Sequence, residues 1–151
     1  MKQIYIYMGI FLALLLLPGG TDAGKLAPAQ LVCLQTVDGE ITVRTDLGNM
    51  GRGTDLEEAF ADLENTTAGK VFLDTADYLL VDEGSMKYLP EVVAWLKGNC
   101  FVFRAGEVQD LESAAVYLDA HPVGVKLKEC RTGNEDLPIV TETDGRFCLK
   151  R

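Results

Sequence analysis

Three times along this chain, four apolar residues recur at i, i+3, i+4 and i+7: Leu56, Ala59, Phe60 and Leu63; Leu89, Val92, Val93 and Leu96; Leu111, Ala114, Ala115 and Leu118. That spacing puts each quartet on one side of a 3.6-residue turn, so each predicts an amphipathic helix with one face to bury. Thr54 and Glu57 form an S/T-x-x-E box at the start of the first; Pro90 suits the opening turn of the second, and Gly98-Asn99 suits its end. Between the helices stand "KVFLD", "DYLLVDE" and "NCFVFRA", apolar runs of strand length bounded by Asp, Gly and Asn. One-faced helices interleaved with short strands satisfy each other by layering.

Upstream, "QLVCLQTV" and "EITVRTDL" flank Asp38-Gly39, a hairpin signal that predicts two paired strands. "GNMGRG" then breaks the pattern with three glycines. "VGVKLKEC", "LPIVTE" and "GRFCLK" add strand candidates near the C-terminus. The expected fold class is α/β (α+β): a mixed sheet covered by about three amphipathic helices in one domain, with no internal repeat of 20 to 50 residues.

The first residues carry one Lys, an apolar run from Ile4 to Leu17 and a Pro-Gly-Gly break, with Thr21 and Ala23 at an A-x-A-like spacing. That reads as an export signal over residues 1–23, with the domain over 24–151. A membrane span needs roughly 20 apolar residues, and Pro18, Gly19, Gly20 and Asp22 stop this run short of that. An exported chain meets an oxidising compartment, so Cys33, Cys100, Cys130 and Cys148 are candidates for two disulfides. Of the three possible arrangements, Cys130 with Cys148 is favoured because they flank a short turn-rich segment, leaving Cys33 to Cys100. The formal charge is −9 and the Lys and Arg are scattered singly along the sequence, which argues against a nucleic-acid partner.

Catalytic patterns are scarce. His121 is the one imidazole, placed at the end of the third helix beside Pro122, which excludes multi-His metal sites and reads as a helix-end histidine. Ser85 and Ser113 are the only serines; neither sits in a G-x-S-x-G elbow, and Ser113 is expected mid-helix. Asp74, Asp77, Asp82 and Glu83 lack the D-x-D-x-D-G register of a calcium loop and read as solvated strand ends. "GNMGRGTDLEEAF" has Leu56 at the third glycine position of G-x-G-x-x-G, with Asp55, Glu57 and Glu58 where a pyrophosphate would lie, so no dinucleotide site is expected. Asn65-Thr66-Thr67 is a formal glycosylation sequon. No cofactor, metal or catalytic residue is assigned. Tyr88 and Trp95, aromatic residues near the second helix, are the candidate partner contacts; a wider buried stripe is the alternative reading of Trp95.

The order of segments also resembles a known family. "TDLEEAF", "KVFLDTADYLLVDE", "LPEVVAWL", "CFVFRAGEVQDL" and the closing "LPIV" and "GRFCLK" follow the pattern of the N-terminal domain of the C-subunit lipoproteins of spore germinant receptors, the Ger(x)C family, and "VDGEITVRTD" looks like that family's first strands. The resemblance lies in apolar positions and spacings, with no catalytic motif, and covers the first of the family's three domains. Where the family carries a lipidated cysteine, this chain has Gly20, so no lipid anchor is expected there.

The resemblance implies a non-enzymatic exported protein of spore germination, acting at the outer face of the cell or spore inner membrane through contacts with integral-membrane receptor subunits or other spore-membrane proteins. The alternative expectation is a secreted, disulfide-stapled binding module unrelated to germination.

Overall fold

Asp38 and Gly39 both take positive φ, 53° and 85°, the backbone of a tight two-residue hairpin turn. They join strand β2 (Leu31–Val37) to β3 (Glu40–Thr45), with Val37 opposite Glu40 and Val32 opposite Thr45. These strands belong to a computed structural model that describes residues 26–133 and 135–150. The expected export signal and Gly20 lie outside the described residues.

"MGRG" continues the meander as β4 (Met50–Gly53), antiparallel to β3. Helix α1 (Leu56–Thr66) then lies across it, burying Leu56, Ala59, Phe60 and Leu63 as their spacing predicts. Its N-cap is one residue later than the S/T-x-x-E box implies: the Asp55 carboxylate accepts from Glu58 N, while Glu58 turns back to accept from Thr54 N and Oγ1. Those two bonds hold the Glu58 carboxyl below its ordinary pKa.

The chain next forms β5 (Lys70–Phe72), paired in parallel with β1 (Leu26–Pro28) as a separate two-stranded sheet. It enters the main sheet as β6 (Tyr78–Val81), parallel to β2. A 3-10 turn over Glu83–Tyr88 and a four-residue helix α2 (Leu89–Val92) lead to β7 (Phe101–Ala105), parallel to β6. Helix α3 (Leu111–Asp119) crosses to the other face. The short β8 (Val125–Lys126), β9 (Ile139–Thr143) and β10 (Arg146–Lys150) complete an eight-stranded mixed sheet of order β10-β9-β7-β6-β2-β3-β4, with β8 paired beside the first half of β7. The expected mixed sheet with three helices is the observed fold. "VGVKLKEC" forms strand only at Val125–Lys126 before a 3-10 turn over Leu127–Glu129.

Strand alternation divides the core in two. On one face Val32, Leu34, Leu79, Val81 and Val102 pack under α1 and α2; on the other Leu31, Cys33, Tyr78, Leu80 and Phe103 pack under α3. Each fully buried Leu or Phe stabilises the fold by about 1.5–3 kcal/mol, so the two layers account for most of the driving force.

The same alternation corrects the cysteine expectation. All four cysteines are free, with Cys33, Cys100 and Cys130 buried and Cys148 exposed. Cys33 points into the α3 face and Cys100 into the opposite one; β6 also lies between β2 and β7, and Cys33 is in line with Phe103, so two strand spacings of about 4.8 Å and three residues of about 3.3 Å put Cys100 beyond a disulfide's reach. Cys130 sits near the start of β7, where Leu127 N bonds to Cys100 O. Cys148 pairs with Thr141, past the end of the β7–β9 ladder. Neither favoured bridge can form in this fold. In native protein under reductant-free conditions, one thiol, Cys148, is expected to react promptly with a chromogenic disulfide reagent and three only after denaturation. Four prompt equivalents, or none after unfolding, would contradict this arrangement.

Candidate interaction surface

The loop that carries the candidate contact residues is held from inside. Asp82 caps the Glu83–Tyr88 turn by accepting from Ser85 N at 2.8 Å, and its second oxygen accepts from Thr36 N at 3.0 Å. Ser85 is fully buried, its hydroxyl 2.8 Å from that of Thr36. The turn is therefore pinned to the end of β2, and Pro90 lies in the first turn of α2 immediately after it.

Leu89, Val92 and Leu96 face the core, as their spacing requires. Val93 does not: it is 47 % exposed, contrary to its place in the expected buried stripe. Regular helix ends at Val92, and Trp95 N bonds back to Val92 O in a tighter turn, which rotates the following residues off the helical register. Trp95 lies half-buried with its ring stacked on Phe60 of α1, centroids 4.7 Å apart and 6° from parallel. The ring seals the seam between the helical segments, which fits the wider-stripe reading, and its remaining surface stays open. Tyr88 is also half-buried, with Lys87 Nζ 4.8 Å from its ring centroid. Lys97 closes the segment with an ion pair to Asp77.

The two aromatic candidates thus lie on one rigid segment, with Val93 between them in sequence as an exposed apolar residue that periodicity had assigned to the core. Such an arrangement offers contact area with little side-chain entropy left to lose.

The other sequence candidates fall elsewhere. His121 is exposed at the end of α3, stacked on Tyr117, with Nδ1 2.8 Å from Tyr117 O. Ser113 stands in the first turn of α3 and not mid-helix, where its N and Oγ both donate to Asp110 and hold that carboxyl below its usual range. Among the described residues, no group of three or more His, Cys, Asp and Glu is placed to hold a metal ion, and no helix is long and apolar enough to cross a membrane. "GNMGRG" forms a turn and strand β4, with backbone atoms of α1 filling the space over Gly51 and Gly53.

The buried thiols are poor nucleophiles in this setting. Burial pushes Cys33 up to about 11 against the opposing pull of Arg44, and Cys100 up to about 12 against that of Lys97. Cys130 rises to about 11 through burial, aided by Glu135 and Glu129. Tyr78 is raised further still, by burial first and then by Asp119, to which its hydroxyl donates at 2.7 Å. That bond, with a second from Gln30 Nε2 at 2.9 Å, lowers the Asp119 pKa and ties the C-terminal turn of α3 to β6 and to the residue just before β2.

A cleft lined by Arg44, Asp46, Met50, Gln109 and Glu112 opens between the β3–β4 turn and the start of α3. Arg44 is committed there to Gln35 Oε1 and Val108 O.

Comparison of the chain with family models, with curated proteins and with solved structures finds no match.

Proposed function

We propose that this chain is a non-catalytic exported domain that works through protein–protein contacts at the spore membrane, as the resemblance to germinant-receptor C subunits implies, with integral-membrane receptor subunits or other spore-membrane proteins as partners. The observation that carries this reading is the segment Tyr88–Trp95, where exposed Val93 stands between two half-buried aromatic rings on a backbone pinned by Asp82 and Ser85. A preordered aromatic and aliphatic patch is the composition of an interface centre.

Fractionation of dormant spores and vegetative culture, with an antibody to the folded domain, tests the reading. Retention with spore membranes is the expected result. Recovery only from culture medium would refute a germination role. Replacing Val93 by Glu is expected to reduce membrane retention at least about tenfold, since a buried unpaired carboxylate opposes docking. Its exposed position should hold the stability change within about 0.5 kcal/mol. Unaltered retention of Val93→Glu would remove this segment from the interface.

A further inference from the structure

The two ends of the main sheet are finished differently. At the β4 end, α1 covers the outer edge: the Asp62 carboxylate accepts from Arg52 N at 2.8 Å, and Thr66 Oγ1 donates to Met50 O at 3.0 Å. At the other end β10 is the outermost strand and, among the described residues, pairs only with β9.

The β9–β10 turn is Asp144-Gly145, both at positive φ, so Thr143 and Arg146 form the closing hydrogen-bonded pair. Alternation then turns the N–H and C=O of Phe147 and Leu149 outward, where another strand would bond.

The two faces of β10 differ as sharply as the two edges. Phe147 and Leu149 lie against the α3 core. Arg146, Cys148 and Lys150 are exposed on the opposite face, Arg146 and Cys148 beside Thr143 and Thr141 of β9 and Lys150 in line, across Ile139, with Arg104 of β7. Singly scattered in the sequence, Arg104, Arg146 and Lys150 converge here without an ion pair to any described residue. The carboxylates closest along the chain are Asp144, in the turn, and Glu142 of β9, which stands opposite Phe147 on the α3 face and accepts there from Gln109 N at 2.8 Å.

We propose that the β10 edge accepts an extended acidic segment of a partner protein as an added strand. Its alternate carboxylates would lie beside Arg146 and Lys150, and its intervening apolar residues beside Phe147 and Leu149. Main-chain bonds supply the affinity of such an addition and alternate side chains supply its selectivity. Antiparallel self-pairing centred on Cys148 would set Arg146 opposite Lys150 of the other copy, and like charges directly opposed destabilise a pair. That register is therefore disfavoured, whereas an acidic strand meets both cations with opposite charge. It is separate from the Tyr88–Trp95 segment and does not depend on the germination reading.

The test uses the full chain, with reductant, and a fluorescein-labelled heptapeptide alternating Glu with Val and Ile. Its controls are the Gln-for-Glu peptide, a form N-methylated on alternate amides, and a short oligothymidylate. The Glu peptide is expected to bind at least about tenfold more tightly than the Gln peptide at low ionic strength, the difference shrinking in 1 M salt. Arg146→Glu combined with Lys150→Glu should abolish that preference, and amide shifts on binding should centre on Phe147 and Leu149. Equal affinity for the Glu and Gln peptides, undiminished binding by the N-methylated form, an unaffected double variant, or tighter binding of the oligothymidylate would each overturn the proposal.

Discussion

Alanine at Gly51 is expected to lower folding stability by about 3 kcal/mol or more, the upper end of overpacking effects. A Cβ built there would stand 2.2 Å from Ala59 O and 2.3 Å from Leu63 N, both backbone atoms of α1. No rotamer change relieves such a contact; the helix must lift from the strand. Lifting it also strains the bonds from Arg52 N to Asp62 and from Thr66 to Met50 O. Urea denaturation provides the measurement, with Gly106→Ala as control, because a Cβ at Gly106 meets nothing within 4 Å and its φ is not positive. The control should change by less than about 1 kcal/mol. Equal midpoints for the two variants would mean that α1 does not rest on the β4 backbone.

Alkali is expected to unfold this domain well before it would unfold one whose cysteines are exposed. Cys33, Cys100 and Cys130 have folded-state values raised to about 11, 12 and 11, whereas an unfolded thiol ionises near about 8.5. Between those values the unfolded chain has released protons that the native chain still holds. Stability conferred by the neutral thiols is therefore complete below about pH 8.5 and lost as pH rises toward 11 and beyond. Each thiol contributes a slope of about −1.4 kcal/mol per pH unit. Together the three remove a substantial part of a marginal stability as pH climbs through this range, and Tyr78, also raised, adds its share at higher pH. Denaturant midpoints from pH 8 to 10.5 check this, with Cys33→Ala expected to flatten the slope by about a third. A pH-independent midpoint across that range would contradict the burial of these thiols.

Local chemistry made much of this fold readable in advance. Asp38-Gly39 announced its hairpin because only residues tolerant of positive φ close a two-residue turn. The quartets in α1 and α3 were readable because a helix needs only one apolar face, and those residues are all buried. "MGRG" was less legible as a strand: it has no apolar alternation, and its two glycines serve by lacking side chains beneath α1. Val93 was misread because periodicity cannot show where a helix stops short. The cysteines were misread because nearness in sequence says nothing about which side of a sheet a residue faces. Of the contact surface, Tyr88 and Trp95 were visible as aromatics near the second helix, while Val93 emerged only once the helix had an end. The basic face at β10 could not be seen at all, since Arg104 and Lys150 come into line across Ile139 only through the register of β7, β9 and β10.

The sealed margin at β4 has a consequence for assembly. A sheet that can be extended at both margins is a link, and links of that kind polymerise into fibrils. With Asp62 and Thr66 taking Arg52 N and Met50 O and α1 lying over that margin, the β4 end is, among the described residues, poorly disposed to take another strand. Growth through this sheet is therefore expected to stop after one addition, giving a discrete pair and not a filament even at high local concentration.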